Sequence, residues 1–360
     1  MSEDEQLKAI RARIDQIDGK LQDLISERAR CALEVARLKQ TSGDLDYYRP
    51  EREAQVLQTV IGRNLGPLDD EVVARLFREI MSACLALQRP IAVAYLGPEG
   101  TYTEAAVFKH FGQAVKARPL AAIDEVFRDV EAGAVDYGVV PIENSSEGAV
   151  DHTLDMFMSS PLKICSEIEL RIHHNLLGKA ADLGTVSRVY AHQMALAQCR
   201  EWLNAHLSGV ECEAVSSNAG AARRAQDEPG AAAIAGVNAA AIYGLDILAA
   251  NIEDKPDNTT RFLVIGRKIP APSGRDKTSL LVSTTNRPGA LFRLLKPLAE
   301  HGISMTRIES RPSRREMWEY VFFIDIEGHM QEEKVASVIG ILENEAAMLK
   351  VLGSYPCAVL

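Results

Sequence analysis

Hydrophobic positions divide the chain into three stretches of different period. In the first, Leu7, Ile10, Ile14, Ile17, Leu21 and Leu24 recur at steps of three and four, and Cys31, Val35 and Leu38 continue the series. That spacing predicts one amphipathic helix over residues 5–40. At 1.5 Å per residue it would be roughly 50 Å long, too long to bury inside a small monomer, so it is expected to pair with a copy of itself or a partner. Pro50 at a first helical position opens a shorter helix, and a third runs from about Asp70 to Gln88.

From Ile91 the pattern changes. IAVAYLG, VDYGVVPI, VSRVYA, VECEAV, GAAAIAG and the end of NIEDKPDNTTRFLVIG predict strands, most of them followed by a helical stretch. Alternating strand and helix implies an α/β fold with a largely parallel sheet, over a span long enough for two lobes. KIPAPSGRDK, rich in proline, glycine and charge, is expected to be a linker and the place of easiest movement. Beyond it the order is strand, helix, strand, strand, helix, strand, the ferredoxin-like βαββαβ arrangement. The expected architecture is multidomain: an all-α unit (1–90), an α/β two-lobed unit (91–270) and an α+β unit (276–360).

Composition narrows the function. The formal net charge of −10 over 360 residues argues against bulk nucleic-acid binding. Six scattered cysteines contain no C-x-x-C pair, so neither a zinc site nor a dithiol is signalled. The opening MSEDEQLKAIRARI is acidic and then amphipathic, unlike a secretory signal, and no apolar run approaches the ~18 residues of a membrane span. A cytoplasmic setting away from membranes is the expectation.

In the first stretch Arg28 sits where the apolar series calls for an aliphatic residue, and a charge in a seam is costly unless paired. Lys39, three turns plus about 20° further on, shares its face. An arginine snorkelling out of a dimer seam would explain Arg28; so would a pocket for a small dianion. With Arg11, Arg52, Glu53 and Gln88 the pattern resembles the all-helical chorismate mutases, in order and spacing. The resemblance implies an intertwined dimer whose site borrows Arg11 from the neighbouring chain. It assigns Lys39 and Gln88 to the ether oxygen of chorismate, Arg11, Arg28 and Arg52 to carboxylates, and Glu53 to the ring hydroxyl. Such a site needs only to clamp the reactive geometry and stabilise charge on the ether oxygen, because the rearrangement is pericyclic. Cys84 stands where a serine is often found in that family, and Arg49 lies near a position that can be acidic.

In the second stretch four polar clusters fall at strand–helix edges: GPEGTYTEAA with Thr101, VPIENSSEG, YAHQMALAQ with His192 and Gln193, and DNTTRFLVIG. Each could be an ordinary helix cap, but ENSSEG offers five polar side chains where a cap needs one. Together they fit a cleft at the carboxyl ends of strands. The same motifs, in the same order, resemble the prephenate dehydratases, whose fold is two α/β lobes around a cleft, similar to periplasmic binding proteins. The resemblance makes Thr260 the critical hydroxyl. It also suggests Glu143 as the proton donor if the cleft raises its pKa, Arg261 as the grip on the substrate carboxylate, and Thr101, Asn144, Ser145 and Gln193 as ring contacts. His173 and His174 belong to none of the motifs and are expected in a core or hinge.

In the third stretch NRPGALFRLL and SMTRIESRP resemble the ligand-binding segments of the ACT domain attached to dehydratases. The implied phenylalanine site comprises Asn286, Gly289, Ala290 and Leu291 with Glu309, Ser310, Arg311 and Pro312; a dimerisation unit without ligand is the alternative. The whole chain resembles the bifunctional chorismate mutase–prephenate dehydratase family. That implies the substrates chorismate and prephenate, the effector phenylalanine, at least a dimer, and no metal, nucleotide or organic cofactor. A non-catalytic helical arm on a dehydratase, or a small-molecule binding module, are the rival readings; Arg11, Arg28, Lys39 and Gln88 speak against the first, and the absence of a signal sequence together with the helical stretch against the second.

Overall fold

The computed structural model describes residues 2–42, 47–284, 287–312 and 320–359; Asn286 lies outside them. Three helices come first: α1 (Glu3–Ser42), α2 (Pro50–Arg63) and α3 (Asp70–Gln88). Pro50 opens α2, as its preset φ favours. The apolar series of α1 is laid along one helix but left uncovered: Ile10 is 57%, Leu24 61% and Leu38 71% exposed. Contiguous apolar surface of that length is of the kind that marks interaction sites.

Lobe one follows with β1 (Ala92–Leu96), α4 (Tyr102–Phe111), β2 (Lys116–Leu120), α5 (Ile123–Glu131), β3 (Tyr137–Asn144), β4 (Gly148–Ala149), α6 (Asp151–Ser159) and β5 (Lys163–Arg171). Lobe two holds β6 (Asn175–Gly178), β7 (Arg188–His192), α7 (Gln193–Gln198), α8 (Arg200–His206), β8 (Glu211–Val215), α9 (Asn218–Asp227), β9 (Ala231–Ala235), α10 (Val237–Tyr243) and β10 (Asp246–Ala249). The chain then returns to lobe one as β11 (Thr259–Gly266). The strand orders are β2-β1-β3-β11-β5, with β4 beside β3, and β10-β6-β9-β7-β8.

The two lobes are those expected, but their sheets are mixed and not largely parallel. β1 pairs β2 and β3 in parallel, but β11 runs antiparallel to both β3 and β5. In lobe two β7 is parallel to β8 and β9, while β6 is antiparallel to β9 and β10. The reversal follows from the two crossings: the chain leaves lobe one through residues 172–174 and comes back through 250–258, so each sheet receives a strand from the opposite direction. β2 and β5 were hard to foresee, because KARPL carries a proline and KICSEIELR alternates weakly.

The third unit is β12 (Asp276–Ser283), α11 (Ala290–Glu300), β13 (Met305–Pro312), β14 (Tyr320–Glu327), α12 (Glu333–Glu345) and β15 (Met348–Pro356), with sheet order β13-β14-β12-β15. This is the expected βαββαβ order. It is packed against lobe one. Asp276 is buried and ties the turn by accepting from the Ser273 N–H and hydroxyl, each at 2.8 Å. Leu281, Val321, Phe323, Leu352 and Tyr355 share one continuous apolar core with Phe127, Phe157 and Leu263 of lobe one. Gly353 of β15 presses on the backbone of β5 so closely that a Cβ there would collide with the Ile164 carbonyl. Linker composition alone could not reveal this docking, which rests on apolar residues distant in sequence.

The helices are also anchored. Tyr48 packs into the lobe-one core, and its hydroxyl meets His110 Nε2 at 2.8 Å. Glu79 of α3 accepts from the Gln113 N–H at 3.1 Å, and Ser82 from the Ala114 N–H at 3.3 Å. Among the described residues no helix is long and apolar enough to cross a membrane.

Candidate functional site

Polar side chains near the strand ends of the two lobes meet in one hydrogen-bonded network. Strand pairing sets Thr260 of β11 opposite Asn144 of β3. Asn144 Nδ2 donates to Thr260 Oγ1 at 2.8 Å and to Asn258 Oδ1 at 2.9 Å. Its Oδ1 accepts from the Ser146 N–H at 3.0 Å, which fixes the amide's orientation and folds the following turn. Ser145 Oγ accepts from the Thr259 N–H at 3.0 Å, so Ser145 staples the turn to the neighbouring strand. Both Thr260 Oγ1 and the Asn144 amide are thus held before any ligand arrives.

The polar chain continues into lobe two. Asn258 Nδ2 donates to Gln198 Oε1 at 3.0 Å, and Gln198 Nε2 donates to Glu147 Oε1 at 3.3 Å. Gln198 Oε1 also lies 2.7 Å from His174 Nε2, whose Nδ1 meets the Tyr102 hydroxyl at 2.8 Å. Burial lowers the His174 pKa, with Gln198 and Glu253 opposing, which favours the neutral ring. His173 Nδ1 contacts Glu253 Oε1 at 2.8 Å. The histidine pair lies in the first crossing segment between the lobes.

Glu147, Gln198, Asn258 and Tyr102 escaped the sequence reading, although each lies inside or beside a quoted motif. ENSSEG, AHQMALAQ and DNTTRF each contained more polar residues than were assigned. Thr101 caps α4: its Oγ1 accepts from the Glu104 N–H at 3.3 Å and donates to the Leu96 carbonyl at 3.3 Å. Behind it the buried Glu104 accepts from the Tyr95 hydroxyl and the Gly100 N–H, both at 2.7 Å, holding the loop at the cleft edge. Gln193 is the exposed first residue of α7, next to His192, which caps that helix through Nδ1.

Two expected cleft residues face away. Side chains alternate along a strand, and pairing sets Arg261 opposite Glu143, one residue from the Thr260–Asn144 pair and on the other face. Arg261 Nε donates to Glu167 at 2.9 Å, Nη1 to Asp325 at 2.7 Å and Nη2 to the Tyr355 hydroxyl at 3.1 Å. Lys277 closes the same cluster on Glu167 at 2.8 Å. The guanidinium is consumed by the third unit and is not presented to the cleft, so the carboxylate grip expected of Arg261 is corrected. Glu143 likewise pairs with Arg307 of β13 at 3.0 Å and does not stand as a proton donor in the cleft.

Of the expected effector residues, Gly289 takes a left-handed φ of +75° as the cap of α11, followed by Ala290 and the partly exposed Leu291. On β13 Ser310 and Pro312 are exposed, while Glu309 and Arg311 turn half-buried toward lobe one. Arg311 is drawn to lobe one: it pairs with Asp151 and, at 2.8 Å, with Asp155, both on α6.

On the helices, Arg28 and Lys39 are half-buried on α1, whereas Arg11 and Arg52 are exposed. Lys39 Nζ lies 5.7 Å from the centre of the Tyr47 ring. Gln88 ends α3 with a buried Oε1 that has no hydrogen-bond partner among the described residues. Glu53 departs from its expected role. It sits in the seam between α2, α3 and lobe one, 3.8 Å from Arg78, and burial raises its carboxyl to about 7 against the opposing pull of Arg78. Cys84 is buried in α3.

Comparison with known proteins follows this geometry. Residues 10–89 match the model of chorismate mutase type II, residues 93–270 that of prephenate dehydratase and residues 278–344 that of the ACT domain. Over 365 aligned positions the chain is 58% identical to the bifunctional chorismate mutase/prephenate dehydratase of Stutzerimonas stutzeri and equally to that of Pseudomonas aeruginosa, each alignment covering 100% of both chains. The crystal structure of prephenate dehydratase from Arthrobacter aurescens in complex with L-Phe superposes with a TM-score of 0.69 at 36% identity, covering 74% of this chain and 90% of that one. Helices bearing the mutase pattern, two lobes bridged by a polar network that ends on Thr260 and a docked ACT sheet occur together on one chain, which belongs to the bifunctional chorismate mutase/prephenate dehydratase family.

Proposed function

We propose that the chain rearranges chorismate to prephenate on its helices and converts prephenate to phenylpyruvate in the cleft, under inhibition by phenylalanine. The observation that carries the cleft assignment is the preset contact between Asn144 and Thr260. Dehydration must polarise the ring hydroxyl of prephenate while the ring carboxylate leaves as CO₂; aromatisation drives the rest. A fixed amide and hydroxyl supply that orientation without rearranging during the reaction. The free N–H groups at the start of α4, beside Thr101, suit the side-chain carboxylate left without Arg261. Gln193, exposed at the start of α7, is assigned the remaining ring contacts.

The mutase site is completed by a second copy of the chain. Half-buried Arg28 and Lys39 and the Gln88 oxygen, unpartnered among the described residues, lie on α1 and α3, and the exposed apolar stripe of α1 invites the partner that would bring Arg11. An orphaned buried acceptor is costly and calls for a donor from a ligand or partner. We assign the units to residues 1–90, 91–270 and 276–360, the assembly to at least a dimer and the setting to the cytoplasm.

Phenylalanine would bind at the turn of Gly289, Ala290 and Leu291 beside β13. That strand grips the ENSSEG turn from both ends: Arg307 holds Glu143, its first residue, and Arg311 holds Asp151 and Asp155 after it. A ligand that shifts β13 therefore shifts Asn144, provided it prefers one arrangement over the other. The test supplies chorismate to the purified chain. Prephenate followed by phenylpyruvate, with the second step slowed by phenylalanine, supports the reading; no phenylpyruvate would overturn it.

A further inference from the structure

The dehydration needs an acid, and Thr260 is too weak a one to release a proton on its own. We infer that Glu147 is the catalytic acid that protonates the departing hydroxyl, an assignment resting on the cleft reading above. Glu147 closes the turn begun by Asn144, its N–H donating to the Asn144 carbonyl at 3.2 Å. Its carboxyl accepts from Gln198 of the opposite lobe at 3.3 Å. Through Gln198, Asn258 and Asn144 it joins one unbroken polar chain ending on Thr260. Glu147 is the carboxylate of the ENSSEG turn that stays in the cleft, since Glu143 is taken by Arg307.

The electrostatic setting agrees. Loss of solvent raises the Glu147 carboxyl above its ordinary value, and His192 at the start of α7 opposes the rise. His174, on the far side of Gln198, is driven toward its neutral form by burial. Glu147 is still solvent-accessible, so closure of the lobes on substrate would remove more water and favour the protonated acid further.

The step balances simply. The Glu147 proton passes to the ring hydroxyl oxygen, and the C–O bond breaks to give water. The bond from the ring to its carboxylate breaks, its electron pair completes the aromatic ring, and CO₂ departs. The glutamate carboxylate regains a proton from solvent.

Glu147→Gln tests this, because the amide keeps an acceptor for Gln198 but has no acidic proton. The expected result is a fall in kcat on prephenate of about 100- to 10,000-fold. KM should change little, and the decline of kcat with rising pH expected of the parent should be absent. Glu147→Asp should restore part of the rate and the pH dependence. Mutase activity on the same preparation reports that the chain is folded. If Glu147→Gln keeps the parental kcat and pH profile while Thr260→Ala is inactive, the acid assignment is wrong and the cleft stands. If Thr260→Ala is also fully active, the cleft assignment itself falls.

Discussion

Glu143 of β3 and Arg307 of β13 form a 3.0 Å ion pair across the seam between the dehydratase cleft and the ACT sheet. Glu143 directly precedes Asn144, so the pair links effector unit and cleft through a single peptide. Arg307→Ala should keep dehydration in the absence of phenylalanine and weaken inhibition. Coupling of this kind is typically 1–3 kcal/mol, so the phenylalanine concentration for half inhibition should rise about 5- to 150-fold. An unchanged inhibition curve would remove this pair from the route.

Arg261 gives a second contrast. Its ion pairs with Glu167 and Asp325 are nearly dry, the three side chains being 13%, 1% and 7% exposed. Removing one member of such a cluster leaves buried charges unpaired, at a cost of about 3–5 kcal/mol. Arg261→Ala should therefore lower the urea midpoint sharply and leave KM for prephenate in the folded protein nearly unchanged. A large rise in KM at parental stability would return Arg261 to the substrate.

Glu53 makes stability depend on pH. Its carboxyl is raised by burial from 4.5 to about 7, so between those values the unfolded chain gives up this proton before the folded one. The contribution is full below pH 4.5 and is lost as pH rises through 7. The difference is on the order of 3 kcal/mol at most, taking 1.36 kcal/mol for each tenfold step. Glu53→Gln should flatten that part of the curve of stability against pH, measured by urea unfolding at pH 4.5 and pH 8. Identical slopes for parent and variant would contradict the buried placement.

The stripe of α1 is exposed along its length: Ile14 is 49% and Leu21 51% exposed. Ile14→Asp combined with Leu21→Asp places two charges on a surface meant to be buried between copies. The expected outcome is a shift of that interface toward monomer in sedimentation, with loss of prephenate formation and survival of dehydration. A double variant that still rearranges chorismate at the parental rate would show that no second copy completes the mutase site.

Local pattern carried most of the fold. The steps of three and four from Leu7 to Leu38 announced α1, and the apolar runs around Val93, Val139, Val189 and Ile234 announced the strands that meet at the cleft. Strand direction was not legible, since nothing local in TTRFLVIG says that the chain has crossed from another lobe. Nor was the face of a side chain within a motif. Thr260 and Arg261 are neighbours in TTRF, yet strand alternation sends one to Asn144 and the other to Asp325, a residue distant in the sequence. The same alternation separates Asn144 from Glu143. The motifs located the cleft, and the pleat decided which of their residues could enter it. Burial of Glu53 was equally hidden, because it depends on lobe one closing over α2 and α3.

The account stands most directly on the separation of two chemistries in one chain. The measurement is the turnover of chorismate and of prephenate by two single variants, Arg28→Ala and Thr260→Ala, each assayed on one preparation. Losing a charge-assisted contact in the mutase pocket should cost about 2–4 kcal/mol of transition-state stabilisation. Arg28→Ala should therefore be nearly silent on chorismate and convert added prephenate at close to the parental rate. Thr260→Ala should make prephenate from chorismate and let it accumulate. A variant that loses both activities while remaining folded, or Thr260→Ala carrying chorismate through to phenylpyruvate at the parental rate, would contradict the account.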